Sequence, residues 1–291
     1  MQIIKFKYDG WSVDIQFANY DDWEDFGYFY DFLTMDLDKG SLLAINSIRV
    51  IEDIKTLVWY SKFQNVLRMV KLWARKRGIY SNIYGYLGGI SWSILVAQTC
   101  ISFPNFEVNR LFHMFFYLFD VWKWPQPVIL TSIDLPDYDY ISLGVNVWNP
   151  NLNDEDNNHV MPIITPSFPQ FNTSVNVFKG TLKIVWREIR RAYVLLKKQK
   201  DDFSDTIQQI YEPFDITQDY GLFLKIDILG EDSENMHKWT GFVQNKLRIL
   251  TLALERVKNL TFRSVPKLFQ GEDSDSVIVI GLKYKSKNDK K

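Results

Sequence analysis

The chain has 291 residues, 46% of them hydrophobic and 16% aromatic, enough apolar surface for about two domains at ~150 residues each, and this excludes disorder over most of its length. Thirty-four basic side chains against 35 acidic ones give a formal net charge of −1, so bulk charge steers the chain to no polyanion and any such site has to be a local patch. A single cysteine, Cys100, excludes an internal disulfide; with no charged-then-apolar leader at the start, a reducing compartment is expected and Cys100 reads as a buried small hydrophobe.

In chain order, residues 3–17 read as two strands about an Asp9-Gly10 turn, with Ile3, Ile4, Phe6 and Tyr8 on one arm and Trp11, Val13, Ile15 and Phe17 alternating with polar residues on the other. Two strands alone are marginal in water, so the hairpin is expected to complete a sheet whose other strands lie outside this chain, as if the N-terminus were cut within a domain. Residues 19–40, with seven aspartates and glutamates from Asp21 to Asp38, read as an acidic connector.

From residue 41 to about 103 the pattern is helical: Val66, Met69, Val70 and Trp73 follow i, i+3, i+4, i+7, while Arg68, Lys71, Arg75 and Lys76 make the opposite side positive. Gly85, Gly88 and Gly89 fall directly ahead of a new helical run from Ser91. Such a turn lets backbone approach a phosphate at a helix N-terminus, and it serves equally for helix packing and capping. The greasiest stretch, residues 111–124, is interrupted by His113, Asp120 and Lys123. It falls short of the ~20 apolar residues of a spanning helix, and reads as a buried helix with no membrane anchor.

Prolines 150, 162, 166 and 169 make residues 145–170 an ordered loop. A long helix follows, with Leu182, Val185, Ile189, Ala192 and Leu196 as its apolar stripe and Lys183, Arg187, Arg190 and Arg191 among its basic residues. Beyond residue 204, a strand at 222–228, an amphipathic helix at 235–257 and a strand at 276–284 ahead of a lysine-rich tail predict a small α+β module. His113, His159 and His237 have no ligand-like spacing, so zinc is not expected.

More specific strings lie along this frame. The run Lys71-Leu-Trp-Ala-Arg-Lys-Arg-Gly-Ile-Tyr80-Ser-Asn82, continuing to Gly88-Gly89-Ile90-Ser-Trp92, resembles the core motif of eukaryotic nuclear poly(A) polymerases. Ile45-Asn46-Ser47-Ile48-Arg49-Val50 is similar to that family's Asn-Gly-x-Arg-Val element, with Ser47 where the family has glycine. His159-Val-Met161-Pro-Ile-Ile-Thr165-Pro166-Ser-Phe-Pro169 is similar to its proline-rich loop, and Trp122-Lys-Trp124-Pro-Gln-Pro127 and residues 238–248 match further stretches in the same order.

The resemblance implies an α+β chain in three parts: residues 1–24 as a remnant of the nucleotidyltransferase palm, 25–203 as the helical middle domain, and 204–291 as an RNA-recognition-like C-terminal domain. It implies a polynucleotide adenylyltransferase that adds AMP from ATP to RNA 3′ ends with Mg²⁺ or Mn²⁺, in the nucleus, alongside cleavage and polyadenylation factors. Asp14 matches the third metal-binding aspartate of the palm, and the first two, an Asp-x-Asp pair, have no counterpart in the sequence. Two ions about 3.5–4 Å apart need more than one carboxylate, so the chain alone is expected to be inactive.

Also by resemblance, Lys71 would neutralise the triphosphate, Tyr80 would hydrogen-bond a phosphate, Gly89 and Ile90 would line the nucleotide, and Asn82 and Thr165 would face the adenine. Lys5 and Asn46 would lie near the RNA 3′ end. On the residues alone, Lys71 is also a plain basic-face lysine, Asn82 a helix cap and Thr165 a partner for its own loop backbone. Two other functions fit parts of the sequence: a non-catalytic RNA- or partner-binding relative, and a nucleotidyltransferase adding U or CCA. The latter matches neither the 71–92 string nor the proline loop.

Overall fold

The computed structural model describes residues 3–9, 11–19, 38–133, 146–198, 203–230, 232–269 and 276–284. Strand β1 (Ile3–Tyr8) pairs antiparallel with β2 (Trp11–Gln16), Lys5 opposite Asp14 and Tyr8 opposite Trp11, as the alternation predicts. The hairpin is tied to the first helix, α1 (Lys39–Leu57), by Ser47 Oγ donating to Gln16 Oε1 at 3.0 Å and by Asn19 N donating to Ser41 Oγ at 2.9 Å. Of the acidic connector, residues 20–37 lie outside the described residues. Asp38 caps α1, accepting from Gly40 N and Ser41 N at 2.7 and 3.1 Å, which satisfies two of the amides that open a helix.

The helical pattern expected over 41–103 resolves into α1, α2 (Tyr60–Lys76) and α3 (Gly89–Ser102). The first break falls at Val58 and Trp59, both in extended backbone, and the second at the glycine turn. Helix α3 starts two residues ahead of the expected Ser91. The apolar stripe of α2 buries Val66, Val70 and Trp73 completely. Trp73 meets Trp92 of α3 edge-to-face at 5.8 Å, and Phe116 of α4 (Val108–Val121) at 4.8 Å. Such pairs add about 0.5–1.5 kcal/mol beyond the area they bury, and they fix α2, α3 and α4 around one aromatic centre. Helix α4 is buried through Leu111, Phe112, Phe115, Phe116 and Phe119. No helix among the described residues is long and apolar enough to cross a membrane.

The proline-rich loop is held by one face of α1. Asn46 Nδ2 donates to the Pro169 carbonyl at 3.1 Å, Arg49 Nη1 to the Phe168 carbonyl at 2.7 Å, and Ser167 Oγ donates to Asp53 Oδ2. Positions 46, 49 and 53 follow i, i+3, i+7, so a single helical stripe grips the loop.

Helix α5 (Lys179–Lys198) packs against α4, and α6 (Phe203–Ile210) folds back on α5. The C-terminal module carries β3 (Leu222–Ile228), α7 (Ser233–Glu255), β4 (Leu260–Ser264) and β5 (Ser276–Tyr284). Its sheet has β5 in the centre, antiparallel to both neighbours, in the order β3-β5-β4. Sequence periodicity finds β3, α7 and β5. It misses β4, a five-residue strand with a buried arginine, Arg263, in its pattern.

Buried polar contacts join the module to the helices. Glu188 of α5 accepts from Arg77 Nε at 2.8 Å and from Arg263 Nη1 at 2.8 Å, with all three residues buried. Arg263 also donates to the Arg77 carbonyl and stacks 3.3 Å from the Phe214 ring centre. Tyr86 Oη donates to the Ser264 carbonyl at 2.9 Å, and Gly180 N, at the start of α5, donates to Glu255 Oε1 at 2.6 Å.

Candidate functional site

Helix α2 is capped by Arg77, and Gly78, in left-handed backbone at φ +63°, turns the chain. Ile79 then plugs the core, which leaves Tyr80 half-buried at the surface. A 3₁₀ turn, Asn82–Tyr84, follows and closes on Gly85 at φ +78°. A side chain at Gly85 would be strained, and its Cβ would stand 2.8 Å from the Phe178 ring. A short bridge between Tyr80 and Leu87 folds the segment back on itself, so that Tyr80 returns over the first residue of α3.

The distances there define the site. A Cβ built on Gly89 would lie 2.9 Å from Tyr80 Oη and 3.7 Å from Lys71 Nζ, so a hydroxyl, an ammonium and the start of a helix converge where only hydrogen fits. No side chain caps α3, and the first amides of a helix lack intrahelical acceptors and favour an anion. Lys71 is half-buried and makes no hydrogen bond or ion pair among the described residues. Burial, with help from the Arg75 guanidinium, pushes its pKa below the ordinary lysine value of 10.5. Arg75 lies 4.8 Å over the Tyr80 ring. Lys71 and Ile90 also border a largely apolar cavity of about 270 Å³ between α1, α2 and α3, walled by Ile54, Phe63 and Leu67.

Asn82 is exposed next to this centre, its Cβ 3.7 Å from where a Cβ on Gly88 would stand. Its Oδ1 accepts from Asn176 Nδ2 at 3.2 Å, and Asn176 Oδ1 accepts from Arg248 Nη1 of α7 at 2.9 Å. Neither Asn176 nor this use of Arg248 is signalled by sequence periodicity, because the three residues are 72 or more positions apart except in the fold.

The other candidates fall elsewhere. Thr165 is buried, its amide donating to the Phe171 carbonyl at 3.1 Å and its Oγ1 accepting from Phe171 N at 3.0 Å, so its hydroxyl serves the loop backbone. Asn46 is buried against Pro169 and has no free face. Asp14 is exposed on β2. Lys5 faces it in the strand register, but its side chain lies outside what the structure describes. No group of three or more His, Cys, Asp and Glu side chains converges among the described residues. A pair of Mg²⁺ ions needs several hard oxygen ligands, so the described residues do not fit such a pair, and no step of transfer chemistry is assigned to them.

With Lys71, Tyr80, Asn82, Gly89 and Ile90 brought together, similarity to known proteins becomes informative. Residues 62–213, just over half of the chain, match the family model described as poly(A) polymerase central domain. The chain belongs to the poly(A) polymerase family. Residues 215–275 match a second model of the family, described as "poly(A) polymerase predicted RNA binding domain". Nuclear poly(A) polymerase 1 of Arabidopsis thaliana is 37% identical over 87% of this chain and 35% of its own length. Poly(A) polymerase of Dictyostelium discoideum is 37% identical over 78% of this chain and 27% of its own. Poly(A) polymerase PAPalpha of Candida albicans is 35% identical over 87% of this chain and 45% of its own. The chain thus spans under half the length of these curated relatives.

Proposed function

We propose that this chain supplies the triphosphate-gripping and RNA-facing parts of a polynucleotide adenylyltransferase, which adds AMP from ATP to RNA 3′ ends. The observation that carries the proposal is the convergence of Lys71 Nζ and Tyr80 Oη on Gly89 at an uncapped helix start. A preorganised cation gains most where negative charge grows during reaction, and leaving pyrophosphate is such a case. Lys71 neutralises the triphosphate, Tyr80 donates to a phosphate oxygen, Gly89 keeps the space open, Ile90 forms an apolar wall and Asn82 meets the adenine edge. Thr165 and Asn46 act at one remove, by shaping the proline-rich loop.

In the same proposal, residues 1–24 belong to the palm, 25–203 form the middle domain, and 204–291 the RNA-binding domain. Lys5 lies near the primer end. Asp14 is the one carboxylate of the Mg²⁺- or Mn²⁺-binding trio that the sequence contains. The protein works in the nucleus on RNA 3′ ends, alongside cleavage and polyadenylation factors. A second function, a catalytically inactive RNA- or partner-binding relative, is supported by the exposure of Asp14 with no group of three metal-ligating side chains formed around it among the described residues.

The test is primer extension. Joined behind a nucleotidyltransferase palm segment that carries the Asp-x-Asp pair, the chain is expected to extend an oligo(A) primer with ATP, and to lose this with Lys71→Ala or Asp14→Ala; the purified 291-residue chain is expected to extend nothing. Inactivity of the fused protein supports the binding relative, and extension by the chain alone contradicts the proposal.

A further inference from the structure

We infer that Arg248 and Asn176 form a polarity relay that sets Asn82 as a hydrogen-bond donor toward the base, so that a residue of the C-terminal module determines which nucleobase is accepted. A guanidinium only donates, whereas a carboxamide has one accepting and one donating end. Arg248 Nη1 lies 2.9 Å from Asn176, with Nη2 3.4 Å from the Val175 carbonyl. The Asn176 oxygen must therefore face Arg248, and its NH₂ faces Asn82. That NH₂ donates to Asn82 Oδ1 at 3.2 Å, which leaves the Asn82 NH₂ to point at a ligand. Each amide in the series is oriented by the one before, and the first is oriented by a group that cannot reverse.

This inference rests on the nucleotide site proposed above and adds a base-discriminating rule to it. A donor at Asn82 pairs with an acceptor. Among purine ring positions, N3 and N7 accept in every purine, whereas N1 is a bare acceptor in adenine and carries a proton in guanine and hypoxanthine. A donor that separates adenine from those bases thus does so at N1. Arg248 and Asn176 touch no nucleotide in this scheme; they are positioning residues. Their position also makes the docking of α7 on the 3₁₀ turn part of base selection.

The relay is tested by equilibrium binding of ATP, inosine triphosphate and inorganic tripolyphosphate to the purified chain. Inosine triphosphate differs from ATP only in the polarity of N1 and the 6-substituent. Asn176→Asp accepts from Arg248 but cannot donate, so Asn82 must reverse its amide; the ATP:ITP affinity ratio should fall about tenfold, the worth of one hydrogen bond to a fixed partner. Arg248→Glu should do the same from two residues away by reversing Asn176, while Arg248→Lys, still a donor, should keep the wild-type ratio.

Tripolyphosphate affinity should stay unchanged in all three, and the melting temperature of each variant reports folding. An unchanged ATP:ITP ratio in both Asn176→Asp and Arg248→Glu overturns the relay while leaving the triphosphate site standing. If Lys71→Ala leaves tripolyphosphate and ATP binding untouched, the site itself is wrong and the relay falls with it. A double-mutant cycle for Asn176→Ala and Arg248→Ala on thermal unfolding should show coupling; none would overturn the relay without reference to any nucleotide.

Discussion

Lys71 and Arg77 sit six residues apart, the first within α2 and the second capping its C-terminus, and the fold treats them in opposite ways. Arg77 is buried with its charge met by Glu188, whose carboxylate it shares with Arg263, and by the Glu212 carbonyl at 2.7 Å. Lys71 is half-buried beside a hydroxyl, with no acidic partner among the described residues. A buried charge without a partner costs stability, so a fold that keeps one has a use for it outside its own packing. A satisfied cation holds two parts of the molecule together, and an unsatisfied one waits for a ligand.

The largest test removes the partner that distinguishes them. Glu188→Ala leaves two guanidiniums facing each other in the interior and should lower unfolding stability by about 3–5 kcal/mol, as for other broken buried pairs, measured by denaturant titration. Acid should act in the same direction. Burial favours the neutral form of Glu188, but the Arg77 hydrogen bond and the charge of Arg263 outweigh it and leave the pKa below 4.5. The group's contribution is therefore present above pH 4.5 and is lost as pH falls through the lowered folded value; in Glu188→Gln this acid-linked loss should vanish.

The mirror experiment, Lys71→Met, keeps the aliphatic stem and deletes the uncompensated charge. Tripolyphosphate affinity should fall about thirtyfold, while stability should rise by roughly 0.5–1 kcal/mol, the trade expected of a binding residue. A fall in stability like that of Glu188→Ala would erase the contrast. Gly89→Ala places a methyl 2.9 Å from Tyr80 Oη and should weaken tripolyphosphate binding about tenfold with little change in melting temperature, since a side-chain tip can yield but a phosphate loses its place. The smallest effect is in pH. An anion binds the charged lysine, so affinity should decline as pH rises through the depressed Lys71 value, below 10.5, and this slope should be absent in Lys71→Met.

Much of the fold was legible. Period-two and period-3.6 patterns locate the hairpin, the stripe of α2, the buried α4, and the edge strand β3 and central strand β5 of the last module. The core motif string drew Lys71, Tyr80, Asn82, Gly89 and Ile90 together ahead of the structure. Thr165 and Asn46 come from two other motifs of the same resemblance, yet they turn inward: a polar residue in a loop or on a helix face can satisfy backbone or meet a ligand, and only packing decides which. Glu188 did leave a trace, as an acid on the apolar side of α5 beside Val185 and Ile189. Its two arginines did not, since they lie 111 and 75 residues away.

The stripe of α1 that grips the proline-rich loop takes hold of two main-chain oxygens, those of Phe168 and Pro169. A carbonyl oxygen is the same in every residue, so this hold on the backbone does not depend on the side chain at 168, whereas Ser167 is held through its own hydroxyl by Asp53. Related chains are free to exchange Phe168 for another bulky residue without moving the loop, whereas drift at 46 or 49 would reshape it, so tolerance to variation should be greater in the clasped segment than in the helix that clasps it.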